Sequence, residues 1–139
     1  MEEGVLLPMS YSYSKFLFYS SFSMLISAII AIIMNDTAVT TYFILLFLTS
    51  INYWRRPEYG FRRNIDLFVV YIGVFIIFWQ ACLLKNEFCR FVFLSMFLSV
   101  SFFYLIEQIL VYYRNLKWIA FHMSIHIYVS LSALFIVFN

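Results

Sequence analysis

Residues 49–66 read TSINYWRRPEYGFRRNID and form the longest polar interruption in an otherwise apolar chain. The stretch holds four of the nine basic residues, together with Pro57 and Gly60. Proline and glycine mark turns, so the chain is expected to leave one apolar segment here and enter another. Ser50 and Asp66 lie at the two ends of the stretch, each just inside an apolar segment.

The composition is that of a membrane protein. The 139 residues are 65% hydrophobic and 12% charged, with a mean hydropathy of +0.92. A soluble domain carries about 25% charged residues, and one of this size still exposes about a third of the surface of its unfolded chain. Lipid is therefore the expected solvent. The net charge of +2 is too small to indicate a nucleic acid partner.

Five apolar segments predict an all-α integral membrane bundle of about five transmembrane helices. About 20 residues at a rise of 1.5 Å cross the ~30 Å hydrocarbon layer. Continuous apolar runs without strict alternation favour helices over a β-barrel. A single domain, residues 1–139, is predicted. The predicted spans are residues 15–34, 38–54, 65–84, 88–113 and 118–138.

The start of the chain does not have the pattern of a signal peptide. Glu2 and Glu3 lie where a signal peptide carries basic residues, so the first span is expected to be retained. Residues 1–14 are expected to form a short polar-aromatic lead, with Pro8 keeping its start irregular.

The distribution of basic residues predicts the orientation in the membrane. Seven of the nine lie before the first span, in the loop 55–63 or in the loop 114–117, and only Lys85 and Arg90 lie on the other side. The positive-inside rule then places the N-terminus in the cytoplasm. The sequence leaves a homo- or hetero-oligomer open. Anionic lipid head groups are the partners expected for four arginines, Arg55, Arg56, Arg62 and Arg63.

Five polar residues fall inside the predicted spans at the cytoplasmic end of the bundle. An ionisable residue within a span costs a few kcal/mol, on the order of 3, so each one needs a partner or a role. The alternating helix directions put all five at a similar depth, and we expect Asp66, Glu107, His122 and His126 to converge in one pocket. These residues are Ser50, Asp66, Glu107, His122 and His126.

Small and polar residues at helical spacing predict the inward faces, because such residues favour helix contacts. The predicted faces are Asp66, Val70, Gly73, Ile77 and Gln80 on the third span, Ser95, Ser99, Phe103 and Glu107 on the fourth, and His122, His126, Ser130 and Ala133 on the fifth.

Each ionisable residue also has a plain structural interpretation. Asp66 in the first turn of a helix suits the helix dipole. Glu107 can hydrogen-bond across helices, and a buried histidine is usually a satisfied core residue. The histidine pair at i, i+4 also suits zinc, with Asp66 or Glu107 as a third ligand and the remaining carboxylate as general base.

The constellation resembles the CREST superfamily of membrane hydrolases, which includes the alkaline ceramidases. Those proteins have seven helices and carry Ser-x-x-x-His, then Asp, then His-x-x-x-His; the histidines bind zinc, and the Asp and Ser handle the water and the carbonyl. Ser50, Asp66, His122 and His126 match this pattern, whereas Trp54 replaces the first histidine. The resemblance implies catalytic roles for Ser50 and Asp66. The stretch SINYWR…RRNID also resembles small membrane proteins of large DNA viruses and protists, a group that implies no function.

Three functions follow from these observations. The first is a non-enzymatic scaffold or assembly component whose polar cluster locks the bundle. The second is a metal-dependent hydrolase of a lipid amide or ester, with Ser50, Asp66 and Glu107 as catalytic residues and His122, His126 and Asp66 as zinc ligands. The third is a proton or ion pathway through the same carboxylates and histidines.

Overall fold

The computed structural model describes residues 9–138, in which all regular secondary structure is α-helical. This confirms the predicted all-α class. Ser21 between the first two helices has a helical backbone, so those two form one continuous rod from Tyr11 to Ile33. The five predicted helices are therefore present. The segments are α1 (Tyr11–Ser20), α2 (Phe22–Ile33), α3 (Thr37–Trp54), α4 (Phe61–Cys82), α5 (Glu87–Tyr112) and α6 (Trp118–Val137).

Two helices begin earlier than the sequence predicted. Helix α1 begins at Tyr11, inside the polar-aromatic lead predicted for residues 1–14; Glu2, Glu3 and Pro8 lie outside the described residues. Helix α4 begins at Phe61 rather than at residue 65. Gly60 has a backbone φ of 133°, which glycine tolerates better than other residues. It immediately precedes α4, so Arg62 and Arg63 belong to the helix rather than to the loop.

Four of the rods are long and apolar enough to cross a membrane, which supports an integral membrane protein. The remaining helix, α3, has 18 residues and includes four threonines, a serine and an asparagine. Its polar groups are compatible with its position, since α1, α2 and α4 all pack on it. The four apolar rods are Tyr11–Ile33, Phe61–Cys82, Glu87–Tyr112 and Trp118–Val137.

The bundle has two ends of different composition. Met9 N–H donates to the Pro57 carbonyl at 3.3 Å, so the start of α1 lies beside the loop between α3 and α4. We call this the basic end; it also contains the loop 113–117 between α5 and α6. The opposite end contains the short loops 34–36 and 83–86.

Helix α6 has the most neighbours in the bundle. It packs along α5 and also contacts α1, α2 and, at few positions, α4. Helix α4 packs mainly on α3 and touches both α5 and α6 at only a few positions. Two clusters of buried apolar side chains hold these helices together. The smaller cluster lies at the basic end and contains Leu17, Tyr53, Trp54, Trp118 and Ile119. The larger one lies toward the opposite end and is built around Val39, Phe43, Leu46, Phe93 and Ile136.

The inward faces predicted for α4 and α6 are confirmed. Asp66, Gly73 and Ile77 are buried on α4, as are His126 and Ser130 on α6.

The face predicted for α5 is wrong at its N-terminal part. Ser95 is exposed, and its hydroxyl donates to the Phe91 carbonyl of its own helix at 2.9 Å. Because serine satisfies its hydroxyl within the helix in this way, a stripe of serines does not require a protein neighbour. The residues that α5 buries are Phe93 and Glu107.

Gly73 lets α4 lie directly against the Tyr42 ring of α3. A Cβ atom at Gly73 would lie 1.5 Å from Tyr42 Cε2, and Tyr42 is only 7% exposed, so its ring has little room to move. We expect Gly73→Ala to lower the free energy of unfolding by about 1–3 kcal/mol or more, the range for overpacking. Thermal unfolding in detergent measures this.

The matched control is Val74→Ala on the exposed side of α4, which should leave stability nearly unchanged. The double variant Tyr42→Ala/Gly73→Ala should be more stable than the sum of the two single changes predicts, because the overlap disappears. Unchanged stability of Gly73→Ala would contradict this account of the α3–α4 contact.

Candidate functional site

A layer of polar side chains crosses the bundle between the two apolar clusters. It has three parts, which join α6 to α1 and α2, α6 to α5, and α3 to α4. The members of this polar layer are Ser20, Ser23, Ser27, Ser50, Asp66, Glu107, His122, His126 and Ser130.

His126 connects α6 to the first rod. Its Nδ1 lies 2.8 Å from Ser20 Oγ, so the two groups share a hydrogen bond. The carbonyl of His126 accepts from Ser130 Oγ at 2.7 Å and from Ser23 Oγ at 3.3 Å. The ring and the backbone of this buried residue are therefore both engaged in holding α6.

A row of serines continues this contact toward the middle of the bundle. Ser23 Oγ and Ser130 Oγ lie 2.9 Å apart, and Ser27 Oγ donates to the Ser130 carbonyl at 2.9 Å. Small side chains let two helix backbones approach closely. These serines of the first span were not among the predicted site residues, although positions 20, 23 and 27 have the spacing of one helical face.

Glu107 and His122 connect α5 to α6. Glu107 Oε1 lies 3.0 Å from His122 Nδ1, and the glutamate is 6% exposed. The ring of His122 also meets the edge of Trp54, with the centroids 5.1 Å apart. Trp54, which replaces the first histidine of the CREST pattern, thus forms an aromatic wall beside His122.

Asp66 and Ser50 meet between α4 and α3. The Asp66 carboxyl lies beside the hydroxyls of Thr49 and Ser50, and it is 7% exposed. Because α4 begins at Phe61, Asp66 lies in the second turn, whereas the favourable effect of the helix dipole is confined to the first. The interpretation of Asp66 as a simple dipole partner is therefore wrong.

Three of the five predicted site residues line one cavity at the basic end. The cavity has a volume of about 270 Å³, and Asp66, Glu107 and His122 form part of its wall. Ser50 lies beside Asp66 but does not line the cavity. His126 lies one helical turn deeper, where its ring meets His122 at 4.8 Å between centroids. The remaining wall is largely aromatic, with Tyr53, Trp54, Tyr59, Tyr71, Tyr104 and Trp118.

The donor set does not fit the zinc site that the CREST pattern implies. Among residues 9–138, no three histidine, cysteine, aspartate or glutamate side chains lie close enough together to hold one metal ion. His126 turns its Nδ1 to Ser20, and the carboxylate nearest to His122 is Glu107 rather than Asp66. A catalytic zinc usually needs three protein ligands, and Trp54 supplies none at the missing position.

Comparison with known proteins identified no relative of this chain. No protein-family model, curated protein or solved structure matches the chain. The resemblance to the CREST superfamily therefore rests on Ser50, Asp66, His122 and His126 alone. The polar layer and the cavity are therefore the features that bear on function.

The contact between Ser23 and Ser130 is expected to stabilise the bundle measurably. Hydrogen bonds between membrane helices contribute about 0.6 kcal/mol on average and up to about 1.7 kcal/mol. Ser23→Ala, which also removes the bond to the His126 carbonyl, should lower the free energy of unfolding by an amount in this range. Unfolding in detergent or bicelles measures it.

The control is Ser124→Ala, because the Ser124 hydroxyl bonds only the Ala120 carbonyl of its own helix at 3.0 Å. It should change stability less than Ser23→Ala does. In a double-mutant cycle with Ser130→Ala, additive effects would show that the hydroxyls of Ser23 and Ser130 do not interact.

Proposed function

We propose that the protein is a five-span integral membrane protein with its N-terminus in the cytoplasm, and that it acts as a non-enzymatic scaffold or assembly component. The four apolar rods and their short loops support this topology, since α3 runs between two of them. An odd number of spans puts the two ends of the chain on opposite sides of the membrane. The basic end then faces the cytoplasm, where the positive-inside rule concentrates Lys and Arg.

The arginines at the basic end support contact with anionic head groups. Arg55 and Arg56 are exposed, and Arg56 Nε lies 3.6 Å from Glu58 Oε2. Arg62 also pairs with Glu58, and Arg63 lies over the Tyr59 ring. Arg55 and Arg56 are therefore the best exposed of the four for phosphate groups of anionic lipids.

Cysteine labelling tests the orientation. The natural thiols Cys82 and Cys89 lie toward the opposite end, so both are first changed to serine. In that background, Arg55→Cys should react with an impermeant reagent applied from the cytoplasmic side, and Lys85→Cys from the other side. The reverse labelling pattern would overturn the proposed orientation.

The pairing of polar side chains between helices is the observation that supports a non-enzymatic role. His126 bonds Ser20 of α1, Ser130 bonds Ser23 of α2, and His122 bonds Glu107 of α5. In hydrocarbon an unpaired polar group is costly, so each pair favours the assembled bundle over separated helices. The polar residues that suggested chemistry are thus largely used in holding α6 to its neighbours.

Helix α5 supplies a surface that an assembly component needs. Only Phe93 and Glu107 are buried on this helix of 26 residues. The rest of the helix presents a broad apolar face that fits lipid chains or a partner helix in a homo- or hetero-oligomer. Its most exposed apolar side chains include Phe91, Leu98, Phe102, Leu105 and Ile109.

Metal content separates the scaffold from a zinc hydrolase. We expect elemental analysis of detergent-purified protein to find far less than one zinc per chain, because the residues needed for three ligands are not grouped. The double variant His122→Ala/His126→Ala should leave that residual content unchanged. One zinc per chain that this double variant removes would overturn the proposal in favour of the hydrolase.

A further inference from the structure

The cavity at the basic end has features that helix pairing leaves unexplained. Asp66 Oδ1 and Glu107 Oε2 are both buried and have no hydrogen-bond partner among residues 9–138. Their side chains are more than nine-tenths buried, and both line the cavity. A buried carboxylate oxygen without a donor is costly. Since both residues line the cavity, a ligand there that donates hydrogen bonds would supply the missing donors once the two carboxyl groups turn toward it.

The aromatic wall indicates that the donor carries a positive charge. Indole and phenol ring faces attract cations, and Tyr53, Trp54 and Trp118 line the cavity together with the two carboxylates. A quaternary ammonium has no N–H group and would leave both carboxylate oxygens without donors. A primary ammonium has three N–H donors and suits both the carboxylates and the rings.

The same cavity also offers groups for an anion or an acceptor. The indole N–H groups of Trp54 and Trp118 are buried, and neither has an acceptor in the described chain. Arg63 lines the cavity too; its guanidinium lies 5.3 Å from the Tyr59 ring centroid, and it forms no ion pair with an acidic side chain of residues 9–138. Guanidinium groups bind phosphate well. The complementary ligand therefore has an ammonium and a phosphate close together.

The walls of the cavity connect it to the lipid-facing surface. Tyr71 of α4 and Tyr104 of α5 both line it, and they are 66% and 49% exposed. Helices α4 and α5 hardly touch, so the exposed tyrosines flank a gap between them. A molecule whose tail lies in the bilayer can extend its polar end through this gap into the cavity. The proposed topology, on which this inference rests, places the basic end at the lipid head groups.

We propose that this cavity binds the head group of a phospholipid with a primary ammonium, of the phosphatidylethanolamine class. The ammonium lies between Asp66 and Glu107, and the phosphate lies toward Arg63. The acyl chains extend between α4 and α5. The volume of about 270 Å³ is below the ~300–1,000 Å³ of sites for drug-sized ligands, so it suits a head group rather than a whole lipid.

Titration of the full-length protein in detergent tests the proposal. The probes are dihexanoyl phosphatidylethanolamine, dihexanoyl phosphatidylcholine and O-phosphoethanolamine. Binding is read from the fluorescence of Trp54 and Trp118 in a Trp79→Phe background, since Trp79 is the third tryptophan and is exposed. Native mass spectrometry provides the stoichiometry.

We expect saturable binding of one phosphatidylethanolamine, at least about tenfold tighter than phosphatidylcholine, because a hydrogen bond to a charged group typically contributes about that factor. Equal affinity for the two lipids would overturn the primary ammonium as the recognised group. Soluble O-phosphoethanolamine that binds as tightly as the lipid would overturn the lipid as its source.

Variants separate the two halves of the site. Asp66→Asn and Glu107→Gln should each weaken phosphatidylethanolamine about tenfold and change phosphatidylcholine little. Arg63→Gln should weaken both lipids, because both carry the phosphate. The control is Glu87→Gln, an exposed acid at the opposite end, which should change neither.

Unchanged phosphatidylethanolamine binding in both carboxylate variants would overturn the assignment of Asp66 and Glu107. If these variants fail to fold, the comparison of the two lipids on the wild-type chain still decides the proposal. The binding assay is independent of zinc content, so failure of this site and failure of the scaffold function are distinguishable.

Discussion

An ionisable side chain inside hydrocarbon needs a partner, and the position of α6 follows from this constraint. His122 and His126 point from α6 in two directions, toward Glu107 of α5 and Ser20 of α1. The two histidines therefore fix which side of α6 faces α5 and which side faces α1. The apolar residues of α6 on either side of the histidines pack in that same orientation.

Close approach of the helices depends on small residues rather than on hydrophobic burial. In a membrane, transfer of an apolar side chain from lipid to protein contributes little, so association relies on packing and on hydrogen bonds. The serines of α2 let that rod lie against α6, and Gly73 lets α4 lie against the Tyr42 ring. The bundle thus has tight contacts at these two places, whereas α4 and α5 hardly touch.

Two sets of polar groups in the bundle have different meanings. Those between α6 and its neighbours are paired, and pairing explains their presence as structural. The second set lies around the cavity, where Asp66 Oδ1 and Glu107 Oε2 have no partner among the described residues. Glu107 belongs to both sets, because one oxygen bonds His122 and the other does not. The carboxyl group of Glu107 therefore joins α5 to α6, and the same residue lines the cavity.

The sequence by itself determined the helices, their approximate ends and the position of the predicted polar residues along the bundle, because apolar run length and helical rise are local properties. It also determined the inward faces of α4 and α6, where burial follows the i, i+4 spacing from Asp66 and from His126. Only the tertiary structure decided which helices touch. Ser20 and His126 are 106 positions apart, and no local rule pairs them. The tertiary structure also gave His126 and Asp66 different partners, Ser20 for the first and the hydroxyls of Thr49 and Ser50 for the second. The partner that each side chain meets depends on how whole helices pack, and that depends on shapes distributed along the entire chain.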